Sequence, residues 1–448
     1  MVESHIKYFK KVPKAPIQKL SRSFSRFTRN SMMSGFIVIF AVIIALIWAN
    51  SPWFKIYTDL LAYQFAFSIE SFHISKSLLH WINDGIMALF FFLIGLEIKR
   101  EILIGELSNI KYTLPPLFGA FGGMVFPAII YMIFNPPGSA GFGGWAIPVA
   151  TDIAFSLVVL ALLGSRVPLR LKIFLTTLAI FDDIGAVILI AVFFTSEIHW
   201  NYIIFSLVLL LILFIINRIG FRNVFPYALF GFLLWFCMFE SGIHATLAGI
   251  LVALTIPATT RIDFDEFKDL APQYMARIID PGLPAESSYA YSIRMSAVQS
   301  LENSCKELEA PLRRLEHFLV PWVSFVVVPS FALANSGITI IQGDLLGMLL
   351  KSTTLGVFFG LTIGKPLGIF LMIYVLTRLE VIQLPSGISL KEILGAGCIA
   401  GIGFTMSFLI ANLAFQDMLM LDSVKLGIII ASVVSGTTGW LLLKKFYL

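Results

Sequence analysis

The chain has 448 residues, of which 58% are hydrophobic and only 13% are charged, and its mean hydropathy is +0.89. A soluble domain carries about 25% charged residues, so this composition excludes an ordinary soluble protein and indicates a membrane protein with many spans. The net charge of +5 is spread over short loops, and the absence of a separate basic domain argues against a nucleic-acid-binding protein.

Twelve apolar segments are long enough to cross a bilayer core of about 30 Å, which requires about 20 residues per helix. In chain order they cover residues 32–50, 80–104, 113–134, 145–163, 169–195, 201–217, 224–239, 243–257, 315–336, 350–375, 390–415 and 424–443. This pattern predicts an all-α polytopic membrane protein with twelve transmembrane helices. The basic tail at 1–31 precedes the first helix, which we expect to remain uncleaved.

The loops between these segments alternate in charge. Eight Lys and Arg residues precede the first span, and every second loop after it carries Lys or Arg, whereas the intervening loops carry few. By the positive-inside rule, this alternation places both termini in the cytoplasm. We therefore expect a multi-pass protein of the bacterial inner membrane.

Two polar stretches interrupt the apolar pattern. Residues 51–79 contain an alternating segment at 65–69, which is compatible with a β-hairpin on the outer surface or with an irregular loop. Residues 258–312 form a cytoplasmic insert of mixed charge, in which we identify no chemistry. The insert separates eight spans within 32–257 from four spans within 313–448.

A charge at the bilayer centre costs at least about 2.5–3.5 kcal/mol, so titratable residues within the spans need an explanation. The informative ones are Asp84, Glu97, Asp152, Asp182, Asp183, Glu240, His244 and Lys365. Asp152 lies about 10 Å from the outer side and Asp182 about 20 Å from the inner side, so both reach one level of the core. Lys365 can supply a countercharge there. A structural ion pair explains one aspartate with Lys365, but it does not explain Asp183 as well. Like charges in a dry site cannot all be ionised cheaply, so one carboxyl group should take up a proton or a cation.

Two spans contain residues that break helices. Pro148 stands shortly before Asp152 in the span 145–163, and Gly401 and Gly403 lie within 390–415. A membrane tolerates unwound backbone only where it faces protein or a water-filled cavity. These residues therefore predict two broken helices.

Each broken span is the middle helix of a three-span unit. The units cover 113–195 and 350–443 and enter the membrane from opposite sides, so they are expected to be inverted repeats. Opposed half-helices direct their dipole ends toward the membrane centre, where Asp152 would balance positive ends and Lys365 negative ends.

The motifs at these positions resemble those of the NhaA-type Na⁺/H⁺ antiporters, over about residues 32–445 apart from the insert. The motifs that carry the resemblance are Asn83-Asp84-Gly85-Ile86-Met87-Ala88, Gly95-Leu96-Glu97-Ile98-Lys99-Arg100-Glu101, Thr151-Asp152-Ile153-Ala154-Phe155, Phe181-Asp182-Asp183-Ile184-Gly185-Ala186, Ser241-Gly242-Ile243-His244-Ala245-Thr246-Leu247-Ala248-Gly249, Gly364-Lys365-Pro366-Leu367-Gly368 and Gly401-Ile402-Gly403-Phe404-Thr405-Met406-Ser407.

The resemblance implies roles for individual residues at the centre of the membrane. Asp183 would bind a transient Na⁺ most directly, with Asp182 beside it as the partner of Lys365. Thr151 and Asp152 would lie at the break of the first broken helix. The break of the second would contain Gly401, Gly403, Phe404 and Thr405.

The resemblance also implies features of the two membrane surfaces. The cytoplasmic mouth, where the family senses pH, would contain Glu97, Arg100, Glu101 and Glu316. The stretch at 51–79 would form the contact of a homodimer.

The expected function is electrogenic, pH-regulated expulsion of Na⁺, and also of Li⁺, in exchange for protons, by a transporter that is not an enzyme and needs no cofactor. A sodium-coupled symporter of an organic solute is the alternative, because broken helices fit it equally well. An intramembrane aspartyl protease is disfavoured, because its Gly-x-Gly-Asp motif is absent and Phe404 follows Gly403. A channel fits broken helices less well.

Overall fold

The computed structural model describes residues 31–69, 72–105, 110–164, 167–195, 198–280, 288–339, 345–384 and 388–447. The predicted basic tail lies outside these ranges except for its last residue. The helices are α1 (Ser31–Ala49), α2 (Phe54–Ala62), α3 (Leu78–His80, Trp81–Ile86 and Met87–Leu103 in succession), α4 (Ile110–Phe134), α5a (Phe142–Val149), α5b (Ile153–Leu162), α6 (Leu169–Phe193), α7 (Trp200–Arg218), α8 (Val224–Ser241), α9 (Thr246–Thr255), α10 (Phe264–Ile279), α11 (Ser288–Leu308), α12 (Pro311–Asn335), α13 (Leu345–Leu350), α14 (Ser352–Arg378), α15a (Leu390–Ala400), α15b (Phe404–Ala414) and α16 (Met418–Tyr447).

The described part of the chain is almost entirely helical, as the sequence predicts, and much of it is suited to a bilayer. Seven helices are long and apolar enough to cross a membrane alone, and the number rises to ten if each of three bent pairs forms one span. The axes bend by 112° between α1 and α2, by 40° between α5a and α5b, and by 50° between α15a and α15b. The protein is therefore an all-helical membrane protein with several spans.

A short β-hairpin stands between α2 and α3. Strands β1 (Gln64–Ile69) and β2 (Phe72–Ser77) pair antiparallel, with Gln64 opposite Ser77 and Ile69 opposite Phe72. Ser75 donates a side-chain hydrogen bond of 2.6 Å to Gln64 across the strands. Each strand has only one partner, so each leaves one edge unpaired among the described residues.

Glycines allow α4 and α14 to approach each other closely. A methyl group on Gly122 would meet the carbonyl oxygen of Gly368, and a methyl group on Gly368 would meet that of Gly122. Small residues of this kind let transmembrane helices pack backbone against backbone. The contact brings Gly123 of α4 beside the side chain of Lys365 on α14.

Lys365 follows a π-helical turn, Gly360–Gly364, within α14. Pro366, the next residue, has no amide hydrogen to donate to the preceding turn, and its ring would clash with the carbonyl group four residues earlier in a regular α-helix. The local sequence thus widens the helix immediately before Lys365 and helps to set the direction of its side chain.

Candidate ion-binding site

The two broken spans cross each other at their breaks. The backbone N–H of Asp152 donates a hydrogen bond of 2.7 Å to the carbonyl oxygen of Ile402. Ser407 donates to the carbonyl oxygen of Ile147 at 2.9 Å, and so joins α15b to α5a. Each unwound segment therefore satisfies backbone groups of the other, as a break within the apolar core requires.

Asp152 lies at the crossing, where the first turns of α5b and α15b meet. Its carboxylate accepts a hydrogen bond from the backbone N–H of Phe155 at 3.1 Å, as the N-cap of α5b. It also accepts from the backbone N–H of Thr405 at 3.0 Å and from the Thr405 hydroxyl at 2.5 Å. The positive ends of two half-helices therefore converge on one negative charge.

Asp182 and Lys365 form an ion pair in the interior. The Lys365 Nζ lies 2.9 Å from the Asp182 carboxylate, and neither side chain has exposed surface. Lys365 also donates to the carbonyl oxygen of Val149, at the C-terminal end of α5a. Since that helix end is negatively polarised, the ammonium group is stabilised from two directions.

Thr151 links this ion pair to the crossing. Its hydroxyl oxygen lies 2.6 Å from the Asp182 carboxylate and 2.9 Å from the carbonyl oxygen of Ala400. A hydroxyl group has one hydrogen, so Thr151 donates to only one of these oxygens at a time. It can donate to an ionised Asp182, or it can donate to Ala400 and accept a hydrogen bond from the protonated carboxyl group of a neutral Asp182. The same geometry therefore serves both protonation states.

Asp183 is the buried carboxyl group that lacks such support. The residue is 1% exposed, and its Oδ1 atom has no hydrogen-bond partner among the described residues. Asp182 Oδ1 is likewise buried without a described partner. Asp183 interacts unfavourably with the charges of Asp182 and Asp152. A buried carboxylate oxygen without a hydrogen-bond partner is costly, and binding a proton or a hard cation, which prefers oxygen ligands, removes that cost.

The remaining crossing residues pack rather than ligate. The Phe404 ring contacts the ring of Phe155, with centroids 4.7 Å apart. A methyl group on Gly401 would lie 2.5 Å from the carbonyl oxygen of Leu361. These positions hold the breaks of α5 and α15 close together and close to α14.

Away from the crossing, the four residues predicted for the cytoplasmic mouth form one cluster, which we call the Arg100 cluster. The Arg100 guanidinium lies 2.8 Å from Glu101 and 3.8 Å from Glu97, both on α3, and it pairs with Glu316 on α12. A cavity of about 530 Å³ adjoins Arg100 and is also lined by Arg313 and His317. The cluster thus joins α3 to α12.

Sequence reasoning missed a chain of three side-chain amides. Asn335 donates to Asn83 at 2.8 Å and accepts from Asn412 at 2.7 Å. The sequence signal that could have identified these residues is an asparagine within or next to an apolar span, because burying an unpaired amide in the membrane costs free energy. Within the described residues, no group of three or more His, Cys, Asp or Glu side chains is arranged to hold a resident metal ion.

Comparison with known proteins gives consistent matches over most of the chain. A family model described as Na⁺/H⁺ antiporter 1 matches residues 25–443. The Na⁺/H⁺ antiporter NhaA 2 of Syntrophotalea carbinolica is 42% identical over 426 residues, which cover 95% of this chain and 97% of that protein. The Na⁺/H⁺ antiporter NhaA of Oleidesulfovibrio alaskensis is 41% identical over 430 residues, which cover 96% and 95% of the two chains.

A solved structure resembles the fold. The sodium proton antiporter MjNhaP1 from Methanocaldococcus jannaschii, determined at pH 8, superposes with a TM-score of 0.50 at 14% sequence identity. The match covers 96% of this chain and 97% of that one. At this identity the similarity concerns the fold alone.

Proposed function

Because the chain belongs to the Na⁺/H⁺ antiporter 1 family and is a membrane protein that exchanges sodium ions for protons, we propose that the two ions compete for Asp183 and Asp182. The observation that carries this proposal is the pair of buried Oδ1 atoms, one on each aspartate, without a described partner. A proton on these oxygens removes the charge that attracts a cation, and a bound cation repels the proton. Occupancy by one ion therefore excludes the other.

Asp183 is the better candidate for direct contact with Na⁺. Asp182 has Lys365 and Thr151 as partners, whereas Asp183 forms no ion pair within the described part of the chain. Na⁺ would bring the positive charge that Asp183 lacks, with the second oxygen of Asp182 as an additional ligand. Loss of Na⁺ would leave a costly charge in a dry site, so proton uptake would follow.

The coupling ratio follows from the number of carboxyl groups. Two aspartates that both release protons when one Na⁺ binds would exchange more than one proton per sodium ion. The exchange would then move net charge, and the membrane potential would help to drive it. Thr151 supports this scheme, because its hydroxyl can bond to Asp182 in either protonation state.

The number of spans can be proposed from the described helices. To the seven long helices we add α1, α3, the pair α5a–α5b, the short apolar α9 and the pair α15a–α15b, which gives twelve. The units α4 to α6 and α14 to α16 would then be inverted repeats, each with a broken middle helix. A site at the crossing of the two breaks is suited to alternate exposure to the two sides.

The remaining assignments follow from the charge alternation and the resemblance. We place both termini and the insert at 258–312 on the cytoplasmic side and the β-hairpin on the outer side, where it would join two copies of the chain. The Arg100 cluster would lie at the cytoplasmic mouth and respond to pH, because it groups three carboxylates around one guanidinium. Li⁺, which shares the charge and the oxygen preference of Na⁺, would be a second cargo.

The test of this proposal is the collapse of a pH gradient when sodium is added to everted membrane vesicles. Addition of sodium should dissipate the pH gradient in vesicles that contain the unmodified protein. Asp183→Asn should abolish this sodium-dependent loss of the gradient, because the amide cannot exchange a proton or neutralise a cation. Asp269→Asn, an exposed change on α10, is the matched control and should respond normally. Sodium-dependent proton movement that persists in Asp183→Asn would refute the assignment.

A further inference from the structure

Asn335 lies at a junction of three spans that the proposed ion chemistry does not use. The residue ends α12 and has no exposed surface. Its amide nitrogen donates to Asn83 of α3 at 2.8 Å and to the carbonyl oxygen of Phe331 at 2.9 Å, and its amide oxygen accepts from Asn412 of α15b at 2.7 Å. Both amide hydrogens and the oxygen are therefore engaged, which fixes the side chain in one orientation.

Two spans are held together at both of their ends. Arg100 near the end of α3 pairs with Glu316 near the start of α12, and Asn83 near the start of α3 bonds Asn335 at the end of α12. At 1.5 Å per residue, the two contacts on α3 lie about 25 Å apart. A shift of α3 relative to α12 at the Arg100 cluster would therefore be carried along this helix pair to Asn335.

The third amide connects the helix pair to the ion site. Asn412 lies seven residues after Thr405, so both side chains occupy one face of α15b, about 10 Å apart. Thr405 binds the Asp152 carboxylate through its backbone and its hydroxyl. A displacement of Asn335 would pull on Asn412, turn or shift α15b, and alter the crossing at Asp152.

We propose that Asn335 is a positioning residue that couples the Arg100 cluster to the ion site, through the Asn335–Asn412 hydrogen bond and the half-helix α15b. The coupling rests on the proposed pH response of that cluster. Asn335 itself has no proton to gain or lose, so it transmits the response and does not generate it.

The response would arise among groups at both ends of the helix pair. At the Arg100 end the charged or titratable groups are Glu97, Glu101, Glu316, Arg100, Glu309, Arg313, His317 and Cys305, and the charge of Glu97 also acts on Asp183 at longer range. At the other end, Asp84 follows Asn83 and lies 3.1 Å from His80 and 3.4 Å from His244. A test must therefore separate a pH response that arises at the Arg100 end from one that arises at the Asp84 end.

A double-mutant cycle tests the coupling. Glu316→Gln should shift the pH midpoint of Na⁺/H⁺ exchange in vesicles, because it removes one carboxylate from Arg100. In an Asn335→Ala background the same change should shift the midpoint little, because the link to α15b is already broken. Coupling between distant sites typically changes affinity about five-fold or more. In the otherwise unmodified chain, Glu316→Gln should therefore also change the sodium concentration for half-maximal exchange about five-fold at a fixed pH, and in the Asn335→Ala background it should change it little.

Asn135 is the matched control. It too is fully buried, and it bonds the backbone carbonyl of Ser352 at 3.0 Å and the Ser352 hydroxyl at 2.9 Å, but it joins α4 to α14. In an Asn135→Ala background, Glu316→Gln should retain its full effect, even if the protein melts at a lower temperature. A structural loss alone would affect both backgrounds alike.

Substitutions of Asn412 protect the test against misfolding of Asn335→Ala. Asn412→Leu and Asn412→Ala each remove the donor, so each should abolish the effect of Glu316→Gln. An undiminished effect of Glu316→Gln in folded Asn335→Ala or Asn412→Leu protein overturns the proposal, as does the absence of any effect in the unmodified chain. We expect sodium/proton exchange itself to persist in these variants, whereas a failure of the assignment of Asp183 would appear as exchange that persists in Asp183→Asn.

Discussion

At the scale of single residues, the cost of a buried charge explains most of what the sequence can predict about the site. Asp152, Asp182, Asp183 and Lys365 stand out because they interrupt apolar spans, and the structure places Asp182 and Lys365 in contact and Asp152 at the crossing. The bond from Lys365 to the backbone of Val149 could not be foreseen. A carbonyl group leaves no mark in a sequence, since every residue carries one.

Thr151 offers a direct test of the two protonation states. Thr151→Val keeps the shape of the side chain but removes the hydroxyl, so Asp182 loses a partner in both states. A hydrogen bond to a charged group contributes about 1.5–3 kcal/mol and one to a neutral group about 0.5–1.5 kcal/mol. The difference of about 1–1.5 kcal/mol favours the ionised aspartate that binds sodium, so its loss corresponds to a roughly five- to ten-fold weaker response to sodium.

The measurement is the sodium concentration for half-maximal exchange in vesicles, at several pH values. Thr151→Ser retains the hydroxyl and should behave like the unmodified protein. Equal sodium dependence in Thr151→Val and Thr151→Ser would show that the hydroxyl contributes nothing to ion exchange.

At the scale of helices, the sequence indicates where a span breaks but not how the breaks are satisfied. Pro148 and the glycines at 401 and 403 lie at or near the two bends, since these residues favour unwound backbone. The bonds from Asp152 to Ile402 and from Ser407 to Ile147 join segments about 250 residues apart in the chain. The local sequence pattern does not predict hydrogen bonds between segments so far apart in the chain. The π-helical turn before Lys365 was also missed, because no simple periodicity distinguishes it.

The contact between α4 and α14 leads to a prediction about stability. Gly368→Ala should push α14 away from the Gly122 carbonyl group and lower the stability by about 1–3 kcal/mol, the usual cost of overpacking. Because Lys365 lies on the same helix, exchange activity should fall as well.

Thermal unfolding of the purified protein in detergent measures this effect. Gly143→Ala is the control, since its added methyl group would lie 3.6 Å from the nearest atom, the Ala414 carbonyl oxygen, at an ordinary contact distance. Equal melting temperatures for the two variants would contradict the packing argument.

At the scale of the whole molecule, composition alone identifies a helical membrane protein, and the structure agrees. The number of spans is harder to obtain from helix length and composition, because α9 is short and the α5 and α15 spans are each divided in two. The insert contains two helices, α10 and α11, and the packing of one against the other also lay beyond sequence reasoning.

The β-hairpin gives a prediction about assembly. A two-stranded sheet exposes an edge on each strand, and a second copy can extend it by adding its own strands. Replacing residues 64–77 with a short Gly-Ser linker should therefore convert a dimer to a monomer and leave exchange in vesicles largely intact.

Native mass spectrometry of the detergent-solubilised protein measures the oligomeric state. Asp269→Asn, a point change outside the hairpin, serves as the reference and should preserve the dimer. A linker variant that still runs as a dimer would exclude the hairpin as the main contact.

The bond between Asp152 and Thr405 has a consequence for how the protein is made. The ribosome delivers Asp182 to the bilayer about 180 residues before Lys365, and Asp152 about 250 residues before Thr405, on the residue numbering alone. During that interval the nascent chain holds two aspartates, Asp152 and Asp182, without these eventual partners. They must be sheltered by bound protons, by water or by the insertion machinery until the last third of the polypeptide arrives, so the final spans complete the biogenesis of the first ones.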